Sequence, residues 1–258
     1  MTGAPAAIGT WALQVTPLNT TDPASIALGV LAVLVLLSTY PYGATAIEYR
    51  HRDNGLAYLF MLLNVGVWCA LFAAQLLAET TLVAGFFYSL SMVGALLASL
   101  GWFLFAATAS STPTLPRHRS IFGIVAVLVG ADIALVVTSP IHELMWTISE
   151  PAGAHSGFAV VNPHLGYWFH IQLLVLLVAG GAILFAIAWE RGVNQRYSSA
   201  YVITAGALIG GLVLSAVLVP GGFSVAPVLA GGLTTIAWVQ ANRGRVLLRL
   251  RRLLPRTR

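Results

Sequence analysis

Asp132 sits in the run VGADIALVV, the one carboxylate of the chain placed well inside an apolar stretch. An acid there is costly unless it is neutralised or paired, so it reads either as an inward-facing functional group or as a protonated acid hydrogen-bonded to a neighbouring helix. By depth its candidate partners are His170, Gln172 and Gln75. A second concentration follows in TSPIHELMW, residues 138–146, which sets His142, Glu143 and Trp146 within one helical turn. His155, His164, Tyr167, Trp168 and His170 come soon after. Imidazoles exchange protons near neutral pH and offer both a donor and an acceptor. Asp132, His142, Trp146, His164, Trp168 and His170 therefore form a candidate ligand-binding or proton-sensing set. The alternative is that the histidines are interfacial groups solvated by water and headgroups, with Trp146, Tyr167 and Trp168 as aromatic-belt anchors. Metal or haem ligation is a third reading, weakly supported: no HxxxH or HExxH spacing occurs, and a catalytic metal needs three converging ligands. His164, near the positive end of the helix that follows it, is expected to be neutral.

The elements that must position these groups are membrane spans. Of 258 residues 58% are hydrophobic and 8% charged, with a mean hydropathy of +0.86. Apolar runs long enough to cross about 30 Å of hydrocarbon as helices recur along the chain. They predict seven spans at 25–47, 55–78, 82–109, 120–139, 163–189, 199–219 and 225–241, giving an all-α bundle. Residues 1–24 form an extracytoplasmic segment, 25–241 the seven-helix domain and 242–258 a basic tail. The first run has no basic flank and no cleavage site, so it is expected to remain as a span. All 13 basic residues are Arg, and all fall after spans one, three, five and seven. The positive-inside rule then puts the N-terminus outside, the C-terminus in the cytoplasm and the protein in the plasma membrane as a multi-pass chain. The single cysteine, Cys69, permits no internal disulfide.

Most connections are short, which favours antiparallel neighbours in an up-and-down bundle. The exception runs from Pro140 to Asn162 on the outer side. Ser139 as a cap with Pro140 at the first helical position, and Ile141, Leu144, Met145 and Ile148 at i, i+3, i+4, i+7, predict a short interfacial helix. His142 and Trp146 would then share its other face, over the mouth of the bundle. Asn162 and Pro163 repeat the cap-and-proline signal and predict the start of span five. GALIG, with Gly206 and Gly210, could mark close helix packing. Pro41 and Pro227 read as kinks or helix-end devices. The Arg-rich tail reads as a stop-transfer anchor at anionic lipid or as a docking helix for a cytoplasmic partner. Nucleic acid is not an expected partner.

With no lysine anywhere, retinal held through a Schiff base is excluded, and no cofactor is expected. SLGWFLFAATAS, ALVVTSPIHELMW and YWFHIQLLVLLVAGGAILF resemble the N-terminal seven-helix sensor region of archaeal and bacterial histidine kinases. In that family a Thr-Asn-Pro-x-His-x-x-x-Trp segment and an aromatic-aromatic-x-His opening to helix five recur. Thr138, Pro140, His142 and Trp146 fall on the first, and Trp168, Phe169 and His170 on the second. Ser139 replaces the usual Asn, and AATAS replaces a stretch that commonly holds an acidic and an aromatic residue. The short tail is not expected to hold a kinase, and the resemblance then implies a non-enzymatic sensor detecting a small ligand or pH at an outer vestibule. Its partners would be the bilayer, an unknown small ligand, a cytoplasmic or membrane signalling protein, and in one arrangement a second copy of the chain. Two rivals remain: a small-molecule or proton transporter using Asp132 and His170, and a haem- or metal-binding membrane protein.

Overall fold

The computed structural model describes residues 26–27, 29–34, 36–37, 47, 55–78, 80–109, 119–149, 160–190, 228 and 231. Its principal helices are α1 (Gly55–Leu76), α2 (Thr81–Ala109), α3 (Arg119–His142) and α4 (Leu165–Glu190). At 1.5 Å per residue they are about 33 to 44 Å long, enough to cross a bilayer core. All four are also apolar enough to do so. They lie where spans two to five were expected. About half of span one and nearly all of spans six and seven lie outside the described residues. So do residues 1–24 and 242–258, GALIG, Pro41, Pro227 and His155.

Helix α2 is the central element, packed along α1 on one side and α4 on another. Thr80 caps it: its backbone carbonyl accepts from Ala84 N at 2.9 Å and its hydroxyl from Val83 N at 3.4 Å. Gly101 lets α1 and α2 nearly touch, since a Cβ built there would lie 2.6 Å from Met61 Cα. Against α4, Trp102 Nε1 donates to Val178 O at 3.1 Å, supplying a buried indole with its one partner. Met61, Leu62, Trp68, Leu96, Trp102, Phe105, Leu174 and Val178 form the main apolar cluster. A second joins Val65, Cys69 and Phe72 of α1 to Ala98 of α2 and to Ala32 and Val228 from the flanking segments.

The interfacial helix expected over residues 140–150 is replaced by a different structure. Helix α3 runs through Ser139 and Pro140 to His142, and Glu143 then adopts a left-handed backbone with φ of 53°. Its N–H bonds Ser139 O at 2.8 Å, an αL cap that ends the helix. Residues Trp146–Ser149 form β1 and pair antiparallel with β2, Val160–Pro163, in the register Trp146↔Pro163 to Ser149↔Val160. Indole and β-branched side chains favour an extended ladder, and a partner strand satisfies backbone groups that a lone surface helix would leave at its ends. The described residues thus form helices and one small β-ribbon. His142 and Trp146 do not share a helix face. Asn162 and Pro163 belong to the ribbon, and α4 begins two residues beyond, at Leu165. The expected apolar face divides: Met145 is fully buried, whereas Ile141 and Leu144 are exposed.

Candidate functional site

Helix α3 is apolar around most of its circumference and exposed there, with Ile124 at 60% and Val127 at 70%. Only Val129, Asp132, Val136 and Ser139 are buried, one stripe at helical spacing. Two of these four are polar, although α3 has ample apolar residues with which to fill the contact.

Asp132 and His170 face each other across α3 and α4, both with no exposed surface. His170 Nδ1 lies 2.5 Å from Asp132 Oδ2; with Asp132 ionised, Nδ1–H is the donor and Nε2 is left as a bare acceptor. Among the described residues neither His170 Nε2 nor Asp132 Oδ1 has a hydrogen-bond partner, and Ser139 Oγ, two turns along the same stripe, has none either. Leaving a buried acceptor unsatisfied costs about 1–3 kcal/mol, so three on neighbouring turns are a costly arrangement. Among the described residues no three His, Cys, Asp or Glu side chains lie together as metal ligands.

The pair lies beneath an aromatic cap. Tyr167, one turn before His170, and Val136, one turn from Asp132, pack with Tyr88, Met92, Met145 and Trp146. Trp146 meets Tyr88 edge-on at 5.0 Å between ring centroids and Tyr167 at 6.5 Å. The cap is held by a clamp between residues 143–145 and 164–166. His164 Nδ1 donates to Glu143 O at 2.6 Å, His164 N to Met145 O at 2.9 Å and Gly166 N to Leu144 O at 3.0 Å. Gly166 is required for this approach, because a Cβ there would meet Met145 Sδ at 2.6 Å and Leu144 O at 2.8 Å.

The six candidate residues therefore separate into layers. Asp132 and His170 form the buried pair, and Trp146 roofs it. His164 is exposed and serves the clamp. His142 accepts from Leu144 N on Nδ1 at 3.0 Å, so its Nε2–H points to Thr138 Oγ1 at 3.0 Å, and it closes the end of α3. Trp168 is 47% exposed and stacks edge-on to Tyr167 at 5.5 Å, outside the cap. Of the three partners expected for Asp132, it is His170 that bonds it; Gln172 is exposed on α4 and Gln75 lies in the last turn of α1. Tyr88, Ser139 and Met145 join the site without having been singled out for it. Ser139 could have been found from its spacing of seven from Asp132, two turns on one face; Tyr88 and Met145 carry no such signal.

No curated protein and no solved structure matches the chain. Residues 30–245 match the family model described as the N-terminal 7TM region of histidine kinase. That match spans most of the sequence and includes every residue of the pair, the cap and the clamp, and so the chain belongs to the family of N-terminal 7TM regions of histidine kinases.

Proposed function

We propose that this chain is a sensor of the plasma membrane, a seven-span bundle with the ribbon end outside, that detects a small ligand or external pH and signals to a partner protein. It performs no chemistry of its own. Input reaches the bundle through the cap of Trp146, Tyr167 and Tyr88, and a shift in packing passes along α3 and α4 to the arginine-rich side, where a cytoplasmic or membrane partner reads it. The observation that carries this reading is the fully buried Asp132–His170 pair with two acceptors left open beneath an aromatic cap. The family supports a sensory role. The test is the autophosphorylation of the partner kinase in native membranes as external pH and small-molecule pools are varied. His170→Ala and His142→Ala are expected to blunt the response; a response unchanged in both would remove the basis of the reading. The orientation is checked separately with His155→Cys in a Cys69→Ser background, which an impermeant maleimide should label from outside intact cells. A transport role draws on the same pair at depth. Proteoliposome flux that falls in Asp132→Asn would favour transport over sensing.

A further inference from the structure

We infer that the Asp132–His170 pair is a proton-binding site, taking up one proton beyond the one it already shares, and that this proton is the input; the inference rests on the sensor reading above. Of the eight carboxylates and six histidines in the chain, these two alone lie well inside apolar spans. Among the described residues no other ionised group is placed to balance them. Helix α1 brings only Tyr58 and Cys69 as titratable side chains, and α2 only Tyr88. Helix α3 otherwise has Arg119 and His142 at its two ends, and α4 has Tyr167 near its start and Glu190 as its last residue. The described ribbon strands contain none, with Glu143 and His164 flanking them. Residues 199–241 contribute Tyr201 alone, and 25–47 contribute Tyr40 and Tyr42.

With one proton on His170 Nδ1 the pair has a net charge of −1, and both open atoms, Asp132 Oδ1 and His170 Nε2, are acceptors. A charge in such surroundings is relieved most directly by binding a proton. The alternative occupants are larger, and neither atom has accessible surface to receive even a water molecule. Uptake of H⁺ from the outer medium adds one bond, O–H on Asp132 or N–H on His170, and takes the pair from −1 to neutral; no other bond changes. The new O–H or N–H is then a donor with no acceptor within this packing, so the protonated pair favours a different seating of α3 on α4. Ser139 Oγ, also unpartnered and two turns nearer the ribbon on the same stripe, is the next polar group on the way out. Proton binding is thereby coupled to the cap of Trp146 and Tyr167 that rests on both helices.

The test uses the purified full chain in lipid nanodiscs. Infrared difference spectra between neutral and acid pH, with isotope-labelled histidine, are expected to show a change in the carboxyl or imidazole bands, and tryptophan fluorescence is expected to follow the same transition. Its steepness should be that of one proton, about tenfold in the ratio of the two forms per pH unit. Asp132→Asn and His170→Gln should abolish it, whereas His51→Gln and His118→Gln should retain it. A native protein in which no carboxyl or imidazole band changes together with tryptophan fluorescence, or a transition retained in both pair variants, overturns the inference; the first of these needs no variant to fold. If the bands are silent while the partner kinase still answers a small molecule, the proton site fails and the sensor reading stands. If the pair titrates and no partner responds, the proton site stands and the sensor reading fails.

Discussion

Replacing Gly101 by Ala adds one methyl group at the closest point between α1 and α2. The new Cβ would lie 2.6 Å from Met61 Cα and 2.9 Å from both Met61 Cβ and N. None of these is the movable tip of a side chain, so the helices must separate by about 0.8 Å to reach ordinary contact, a gap that forfeits a quarter to a half of each affected dispersion contact. Met61, Leu62 and Phe105, all within 3% of full burial, lie at that joint. Overpacking of this kind costs about 3 kcal/mol, which lowers the melting temperature of a chain this size by about 6–12 °C. The same substitution at Gly130 has the opposite sign. A Cβ there meets nothing within 4 Å, so Ala brings only its better helix propensity, about 1 kcal/mol and about 2–4 °C upward. Cys69 provides the assay, being the single cysteine and fully buried: a dye that fluoresces on reaction with thiols reports its exposure during a thermal ramp. Should Gly101→Ala melt at or above the native temperature, or Gly130→Ala fall as far as Gly101→Ala, the α1–α2 packing described here is wrong.

The same thermal ramp checks three further expectations. Removing one member of the pair by His170→Ala leaves a buried carboxylate alone and should cost about 3–5 kcal/mol, while Asp132→Leu combined with His170→Leu should return to within about 1 kcal/mol of native. A double variant as weak as the single would mean that the pair is retained for stability and not for function. Glu143→Gly removes about 1 kcal/mol of left-handed strain, and its midpoint should rise by about 2–4 °C; a fall would show that the αL turn is not formed. Trp146→Ala empties the cap and should cost about 3–5 kcal/mol, together with faster thiol-dye labelling of a cysteine placed at Val136 in a Cys69→Ser background. Unchanged labelling there would mean that Trp146 does not roof the stripe.

The helices were legible because lipid imposes long, continuous apolar runs. Spans expected at 55–78, 82–109, 120–139 and 163–189 correspond to Gly55–Leu76, Thr81–Ala109, Arg119–His142 and Leu165–Glu190. His170 could be named as a partner of Asp132 because depth in a span follows from counting residues at a fixed rise. The ribbon was not legible, for two physical reasons. Ile141, Leu144, Met145 and Ile148 satisfy a helical period, and the signal that ends the helix is a left-handed Glu143, where no glycine or asparagine advertises the turn. What fixes it is long-range: strand partners Val160–Pro163 and the His164 contacts lie about twenty residues on, beyond any local pattern. Ser139 was misassigned for a related reason. Its hydroxyl and the following Pro140 look like a helix start, but in a chain already helical they extend the last turn. The division of roles among His142, His164 and His170 likewise depends on which backbone atoms come within reach, and residue type alone does not give that.

The narrow contact of α3 has a mechanical consequence. In lipid there is no hydrophobic force pressing one helix onto another, so a helix is held by what it packs and bonds along its contact line. For α3 the fully buried part of that line is four side chains, half of them polar, while its exposed isoleucines and valines are as well solvated by acyl chains in any axial position. Such a helix behaves as a piston rod: a small stroke breaks few contacts, and the backbone ladder transmits it undiminished over some 36 Å to Arg119 at its other end. A change too small to reshape the bundle at the ribbon can thus arrive as a displacement at the opposite end of α3.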